Sequence, residues 1–395
     1  MRPSLLLGAL SLPAAALPHH VKRDKPVALL GPKDASTIVL DKYIVKVVDR
    51  PLDTLDDAIQ AIIQKADYVF EPMFAGFSGT LDEATLQFLR YHPEVEYVEK
   101  DTKMTTAAFK TQFNATWGLG RISSRYPGAN TYVFDDSAGE GTCVYVIDSG
   151  IDDTHPEFEG RAKQVYSFVK ESARDDNGHG THVAGIIGSK TYGVAKKTKL
   201  YGIKVLDHNG RGTTAQIVGG MTYVFRDMDK RECPKGVLVN LSLGAPMSET
   251  ANHIAAKLTR GDIFVGVAAG NNAADAATKS PASEPLVCTV GGVDQNDTWW
   301  YRSNYGPLVD ILAPAVNVLS TMPNGTHGYM TGTSMAAPHV VGLAAYLGVL
   351  EDITGTRALC TRIRRLANRG FIDNTPWKTD NLLAYNRPIG PEPLP

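Results

Sequence analysis

Three short stretches of this chain carry chemically capable side chains at the ends of apolar runs. The first is Val146-Ile147-Asp148-Ser149-Gly150-Ile151, a carboxylate emerging from an apolar strand. The second is Asn177-Gly178-His179-Gly180-Thr181-His182-Val183-Ala184-Gly185, an imidazole whose two glycine neighbours offer it no packing. The third is Gly332-Thr333-Ser334-Met335-Ala336-Ala337-Pro338-His339, a hydroxyl at the start of a helix that continues through Val341 to Leu347. Taken singly, each has a plain structural reading: an Asp before Gly shapes a turn, and a Ser at a helix start is an N-cap. Taken together they supply the parts of nucleophilic catalysis. A serine hydroxyl is a poor nucleophile until a base removes its proton, and the base needs a carboxylate to hold its tautomer. Metal-assisted hydrolysis is the rival, with His179 and His182 as ligands at i, i+3. The glutamate of H-E-x-x-H is missing, so nucleophilic catalysis is preferred.

Such residues need a rigid frame. From about residue 105 onward short apolar runs recur: Val144 to Ile147 before Asp148, Leu200 to Val205 before Asp207, and Val237 to Val239 before Asn240. Ile263 to Val267 precedes Ala268-Ala269-Gly270-Asn271. Runs that are continuously apolar, not alternating, predict strands covered on both faces, as in a parallel sheet. Helical stretches between them make the fold class α/β, a doubly wound, mostly parallel sheet whose chemistry gathers beyond the carboxyl ends of the strands. A smaller α+β unit precedes it. Tyr43 to Val48 reads as a strand, and Leu55, Ile59, Ile62 and Ile63 share one helix face. A strand pair follows around Tyr68 to Phe77, then a helix beginning near Asp82-Glu83 and stopped by Pro93, then a strand over Val95 to Val98. This β-α-β-β-α-β order is ferredoxin-like.

The composition bounds the rest. At 395 residues with 43% hydrophobic and 21% charged residues, the chain is long enough for two folded units plus processing segments. A net charge of −2 argues against nucleic-acid binding, and no apolar run reads as long enough to span a bilayer. Met1-Arg2, the apolar Leu5 to Leu10 and the small Ala14-Ala15-Ala16 follow the order of a secretory signal peptide, so an extracellular location is expected. Four cysteines in an exported chain favour two disulfides, with three pairings open, and no CxxC spacing suggests zinc. Sequons at Asn114, Asn296 and Asn324 suit a glycosylated surface, whereas Asn240 lies inside an apolar strand, where burial should keep it bare.

The three chemical motifs, in the order Asp…His…Ser, resemble the subtilisin-like (subtilase) family, and in particular its proteinase K-like fungal branch; that order is the one known for subtilisin itself. The likeness runs from Thr116-Trp117-Gly118-Leu119-Gly120-Arg121 to Asn381-Leu382-Leu383-Ala384-Tyr385-Asn386. It implies a signal over 1–18, an inhibitory I9-like propeptide over 19–106, and a peptidase S8 catalytic domain over 107–395. It further implies a monomeric endopeptidase acting on proteins and peptides, with the propeptide as an intramolecular inhibitor and neither membrane nor nucleic acid as partner. Asp148 would orient the imidazole, His179 act as base and then acid, Ser334 attack, and Asn271 donate to the oxyanion. Gly210, Arg211 and Gly212 with Ser242, Leu243 and Gly244 would flank an extended substrate, and Ala268, Ala269 and Gly270 would floor a roomy primary pocket. Disulfides Cys143–Cys233 and Cys288–Cys360 are implied, as is structural calcium on Asp310 with the carbonyls of Pro285 and Val287. Two departures stand out: Gly370-Phe371-Ile372 lacks the acid of a second calcium site, and Val183 replaces a buried free cysteine.

Overall fold

The structure, a computed structural model, describes residues 23–32, 38–103 and 109–387. The expected signal peptide, the 104–108 stretch and the Pro-rich tail lie outside them. Two compact units divide the chain, Met1–Thr106 and Ala107–Pro395.

The first unit contains β1 (Leu29–Leu30), β2 (Ile38–Val47), α1 (Asp57–Ile63), β3 (Tyr68–Val69), β4 (Gly76–Thr80), α2 (Glu83–Tyr91) and β5 (Val95–Thr102). Its sheet runs β1-β5-β2-β4-β3, with β2 antiparallel to both β4 and β5. The ferredoxin-like order is therefore present, with the two-residue β1 added beside β5. Asp56 and Asp82 cap the two helices through Ala58 N and Thr85 N, and Ile59, Ile62, Leu86 and Leu89 bury against Val45, Phe77 and Val98. Strand β2 starts five residues before the apolar run at Tyr43. Its register breaks between Ile38 and Tyr43, where Asp41 is left-handed, and that break interrupts the alternation that would mark a strand.

The second unit opens with an antiparallel pair, β6 (Phe109–Gln112) and β7 (Tyr132–Asp135), that flanks α3 (Trp117–Arg121). Then come β8 (Cys143–Asp148), β9 (Ala162–Ser167), α4 (His179–Gly188), β10 (Lys199–Lys204), α5 (Thr214–Asp227), β11 (Val237–Leu241), β12 (Ala245–Pro246), α6 (Glu249–Arg260), β13 (Phe264–Ala268) and β14 (Lys279–Ser280). The remainder is β15 (Cys288–Val293), β16 (Ile311–Pro314), the hairpin β17 (Val318–Met322) and β18 (Thr326–Met330), α7 (Thr333–Leu350), α8 (Thr356–Leu366), β19 (Asn368–Arg369) and β20 (Leu382–Leu383). Nine strands form one sheet in the order β19-β20-β16-β15-β13-β11-β8-β10-β9, parallel except for β19 against β20. Alternate residues of β8 explain its unbroken apolarity. Val144 and Val146 pack with α4, α7 and α8 on one face, while Tyr145 and Ile147 pack with α5 and α6 on the other.

One expectation needs correction. Helix α7 has 18 residues and is apolar enough, by length and composition, to cross a membrane. It is instead the core helix of the sheet, buried along 83% of its length, which is why it is apolar all round. Both disulfides are present as expected, Cys143–Cys233 and Cys288–Cys360.

Candidate active site

Strand β8 lies between β10 and β11, where the chain crosses from one half of the sheet to the other, and Asp148 is its last residue. The Asp148 side chain is fully buried. Its Oδ1 accepts from Ser149 N and stands 2.7 Å from His179 Nδ1. His179 is the first residue of α4, and the glycine after it is obligatory: a Cβ on Gly180 would lie 2.1 Å from Gly150 O and 3.2 Å from Asp148 Cβ. That close approach lets the helix start against the end of β8. Burial disfavours the His179 imidazolium, yet the charge and hydrogen bond of Asp148, with the charge of Asp175, outweigh it and raise the His179 pKa.

Ser334 is the second residue of α7. Its Oγ donates to Ser242 O at 3.0 Å, so among the described residues the hydroxyl rests on this carbonyl and not on His179. Ser242 Oγ in turn donates to Ser334 O at 2.8 Å. That carbonyl is free because Pro338, four residues on, has no N–H to offer it. Asn271 follows β13, and its Oδ1 accepts from Thr333 N (2.9 Å) and Thr333 Oγ1 (2.7 Å). With the oxygen held, the amide nitrogen is the free end. A Cβ on Gly332 would lie 3.4 Å from Asn271 Nδ2 and 3.6 Å from Ser334 N, so two N–H donors border one small space beside Gly332.

His182 has no part in this arrangement. Its Nε2 faces the carbonyls of Val318 (3.0 Å) and Gly328 (3.1 Å), and burial pushes its pKa down to about 4. The metal-ligand reading of His179 with His182 fails on this geometry: one ring is committed to a carboxylate, the other to backbone.

A profile of the subtilase family matches residues 139–363, and one of the peptidase inhibitor I9 family matches 52–107. The chain is 49% identical to a cuticle-degrading protease of Metarhizium anisopliae over 98% of this chain and 100% of the relative. It is 48% identical to proteinase R of Parengyodontium album over 98% and 99%. A crystal structure of a cold-adapted subtilisin-like serine proteinase superimposes with a TM-score of 0.64 at 37% identity, covering 69% of this chain and 98% of the other. The chain belongs to the subtilase family. It is a subtilisin-like serine protease with an I9-type propeptide.

The remaining expected residues of this subtilase fall around the same sheet edge. Gly210, Arg211 and Gly212 form an exposed segment after β10, braced by Asp207 Oδ1, which accepts from Asn209 N and Arg211 N at 2.9 Å each. Ser242, Leu243 and Gly244 leave the end of β11 with exposure rising along them. Ala268 ends β13, with Ala269 and Gly270 just after it, and Asn304 holds the segment by donating from Nδ2 to Ala269 O and from its backbone N to Gly270 O, both at 2.9 Å. Asn114, Asn296 and Asn324 are exposed, whereas Asn240 is fully buried and donates to Ser242 Oγ.

The locus expected to hold calcium has more in it than the resemblance implied. Asp310 immediately precedes β16 and is tied to β15, its Oδ2 accepting from Thr289 N at 2.9 Å. Two carbonyls and a carboxylate are the oxygen donors calcium takes. However, Asp310 Oδ1 already accepts from Arg364 Nη1 of α8 at 3.0 Å, so one ligand oxygen carries a guanidinium. The neighbouring sulfurs of Cys288 and Cys360 are bonded to each other and offer no thiolate.

Sequence reasoning missed a buried carboxylate behind the Asp148–His179 pair. Asp175 Oδ1 accepts from Ser149 Oγ (2.8 Å), Asn177 N (3.2 Å) and Gly178 N (2.8 Å), and Oδ2 from Thr181 N (2.9 Å) and Thr181 Oγ1 (2.5 Å). Ser149 Oγ also accepts from Gly180 N, so the turn after Asp148 and the first turn of α4 are laced to one anion. Lys204, fully buried beside Asp148 in the sheet, donates to Ser149 O and to Asp176 Oδ1. The signal available was the Asp175-Asp176 doublet just before Asn177.

Proposed function

We propose that this subtilase is a secreted serine endopeptidase of broad specificity, made as a self-processing zymogen, with Asp148, His179 and Ser334 as its triad. The observation that carries the reading is the 2.7 Å Asp148–His179 pair at the carboxyl edge of the sheet, on the same fold edge as a helix-start serine and a tethered asparagine amide. A substrate would lie extended, adding a strand between 210–212 and 242–244. Pairing through main chain reads few side chains, so specificity is broad, and the small residues Ala268, Ala269 and Gly270 leave room for a large apolar or aromatic P1 side chain.

In the reaction, Ser334 Oγ turns from Ser242 O toward His179 Nε2, gives its proton to that nitrogen and attacks the scissile carbonyl carbon. Asp148 keeps the Nδ1–H tautomer and stabilises the imidazolium that forms. The negative oxygen sits between Asn271 Nδ2 and Ser334 N, donors already fixed before the charge develops. Collapse breaks the C–N bond as His179 Nε2–H protonates the leaving amine. Water then repeats the cycle on the acyl-serine, with His179 again taking and returning a proton.

Secretion is supported by the signal-like start, by two disulfides, which persist in oxidising compartments, and by exposed sequons at Asn114, Asn296 and Asn324. Residues 19–106 serve as folding aid and temporary inhibitor, with cleavage between about Met104 and Lys110. Expression of Ser334→Ala should give a folded but unprocessed precursor without hydrolytic activity. A variant trimmed normally in cells lacking related proteases would exclude self-processing, and one that still hydrolyses peptides would exclude the triad.

A further inference from the structure

Asp310, Arg364 and Asp380 form a chain of charges that joins three elements. Arg364 Nη1 donates to Asp310 Oδ1 at 3.0 Å and Nη2 to Asp380 Oδ2 at 2.7 Å. Asp310 stands at the head of β16, Asp380 just before β20, and Arg364 in the last turn of α8. The guanidinium thus sits as a fork across two carboxylates, one partly buried and one exposed. The remaining Asp310 oxygen is taken by Thr289 N.

From this arrangement we infer that Arg364 is a built-in counter-cation for Asp310, occupying the position that the family resemblance gives to calcium, so that cation and guanidinium exclude one another. A calcium ion needs its ligand oxygens at about 2.3–2.6 Å. An arginine nitrogen at 3.0 Å on the same oxygen fills that approach, and two positive centres cannot share it without repulsion. The tethered cation also has the advantage of effective concentration, since α8 is held to β15 by the Cys288–Cys360 disulfide and cannot leave the site. Calcium therefore has to displace Arg364 toward Asp380 alone, and the folded catalytic unit keeps Asp310 neutralised when the ion is withdrawn. This concerns the Asp310 locus only; the hydrolytic reading stands or falls separately, because the test reads melting and calcium binding.

The test compares mature wild type, Arg364→Gln and Arg364→Gln/Asp310→Asn, each treated with a serine-directed sulfonyl fluoride to stop autolysis. Melting is followed in about 5 mM calcium chloride and in about 5 mM EGTA, where ligand binding to the native state appears as a rise in Tm. Wild type should differ by less than about 1 °C between the two, Arg364→Gln should gain at least about 3 °C from calcium, and the double variant should lose that gain. If Arg364→Gln does not fold, Arg364→Lys replaces the fork with a single charge, and calorimetric titration with calcium chloride should give at least about tenfold tighter binding than wild type. A calcium-dependent rise in wild type that Asp310→Asn removes would overturn the inference, as would a substituted Arg364 that gains no calcium response.

Discussion

Replacing Asp175 by Asn changes one oxygen of a five-bond acceptor into a donor, and the structure says which one. An amide nitrogen at Oδ1 would oppose Ser149 Oγ, Asn177 N and Gly178 N, whereas at Oδ2 it opposes Thr181 N and a hydroxyl that can turn. The amide therefore settles with nitrogen toward Thr181, leaving one buried N–H without an acceptor and weakening the three bonds that remain at the other oxygen. An unsatisfied buried donor costs about 1–3 kcal/mol, and the loss of charge assistance brings the total to roughly 2–4 kcal/mol. At a few degrees per kcal/mol, Tm should fall by roughly 4–8 °C. Chemistry should change in two separable ways. Loosening the first turn of α4 misplaces His179, for which a loss in kcat of about 10–100-fold is expected. Removing the Asp175 charge also withdraws one of the influences that raise the His179 pKa against burial, so the acid limb of kcat/KM should move to lower pH. The assay is a pH profile of kcat/KM on a chromogenic peptide, alongside a melting curve. An unmoved acid limb with Tm within about 1 °C of wild type would refute the positioning role.

Asn271→Ala should lower kcat by about 10²–10³ with little change in KM; that magnitude was measured on subtilisin, a member of this family, and a KM effect alone would mean that Asn271 only binds substrate. His182 and His339 are both buried, and burial pushes each down to about 4. A base whose pKa falls on folding contributes stability above its ordinary value near 6.5 that is lost as pH falls toward 4, up to about 3 kcal/mol for each ring. Denaturant unfolding of serine-blocked enzyme should therefore show stability dropping between about pH 6.5 and pH 4, and a flat profile there would contradict it.

Much of the architecture is legible in the sequence because the sheet is buried on both faces. A strand such as β8, packed against α4, α7 and α8 on one side and α5 and α6 on the other, has to be apolar throughout, and its polar end marks Asp148. The glycine after His179 is equally readable, since the close approach of Gly180 to Gly150 tolerates nothing larger. What stayed hidden depends on partners distant in sequence. Nothing local to Thr333 says that it will hold Asn271, 62 residues away, and nothing in the arginine-rich α8 singles out Arg364 for Asp310, 54 residues away. Helix α7 misleads in the other direction: a helix enclosed by protein and a helix enclosed by lipid need the same apolar surface.

That Ser334 is the nucleophile, activated by His179, can be read at a single bond. Mature enzyme is treated with a fluorophosphonate, digested, and the modified peptide located by tandem mass spectrometry, with His179→Ala carried through in parallel. One label per molecule on Ser334 in wild type, and loss of labelling when the base is removed, is the expected result. Labelling at any other serine, or equal labelling of Ser334 without His179, would contradict the catalytic assignment.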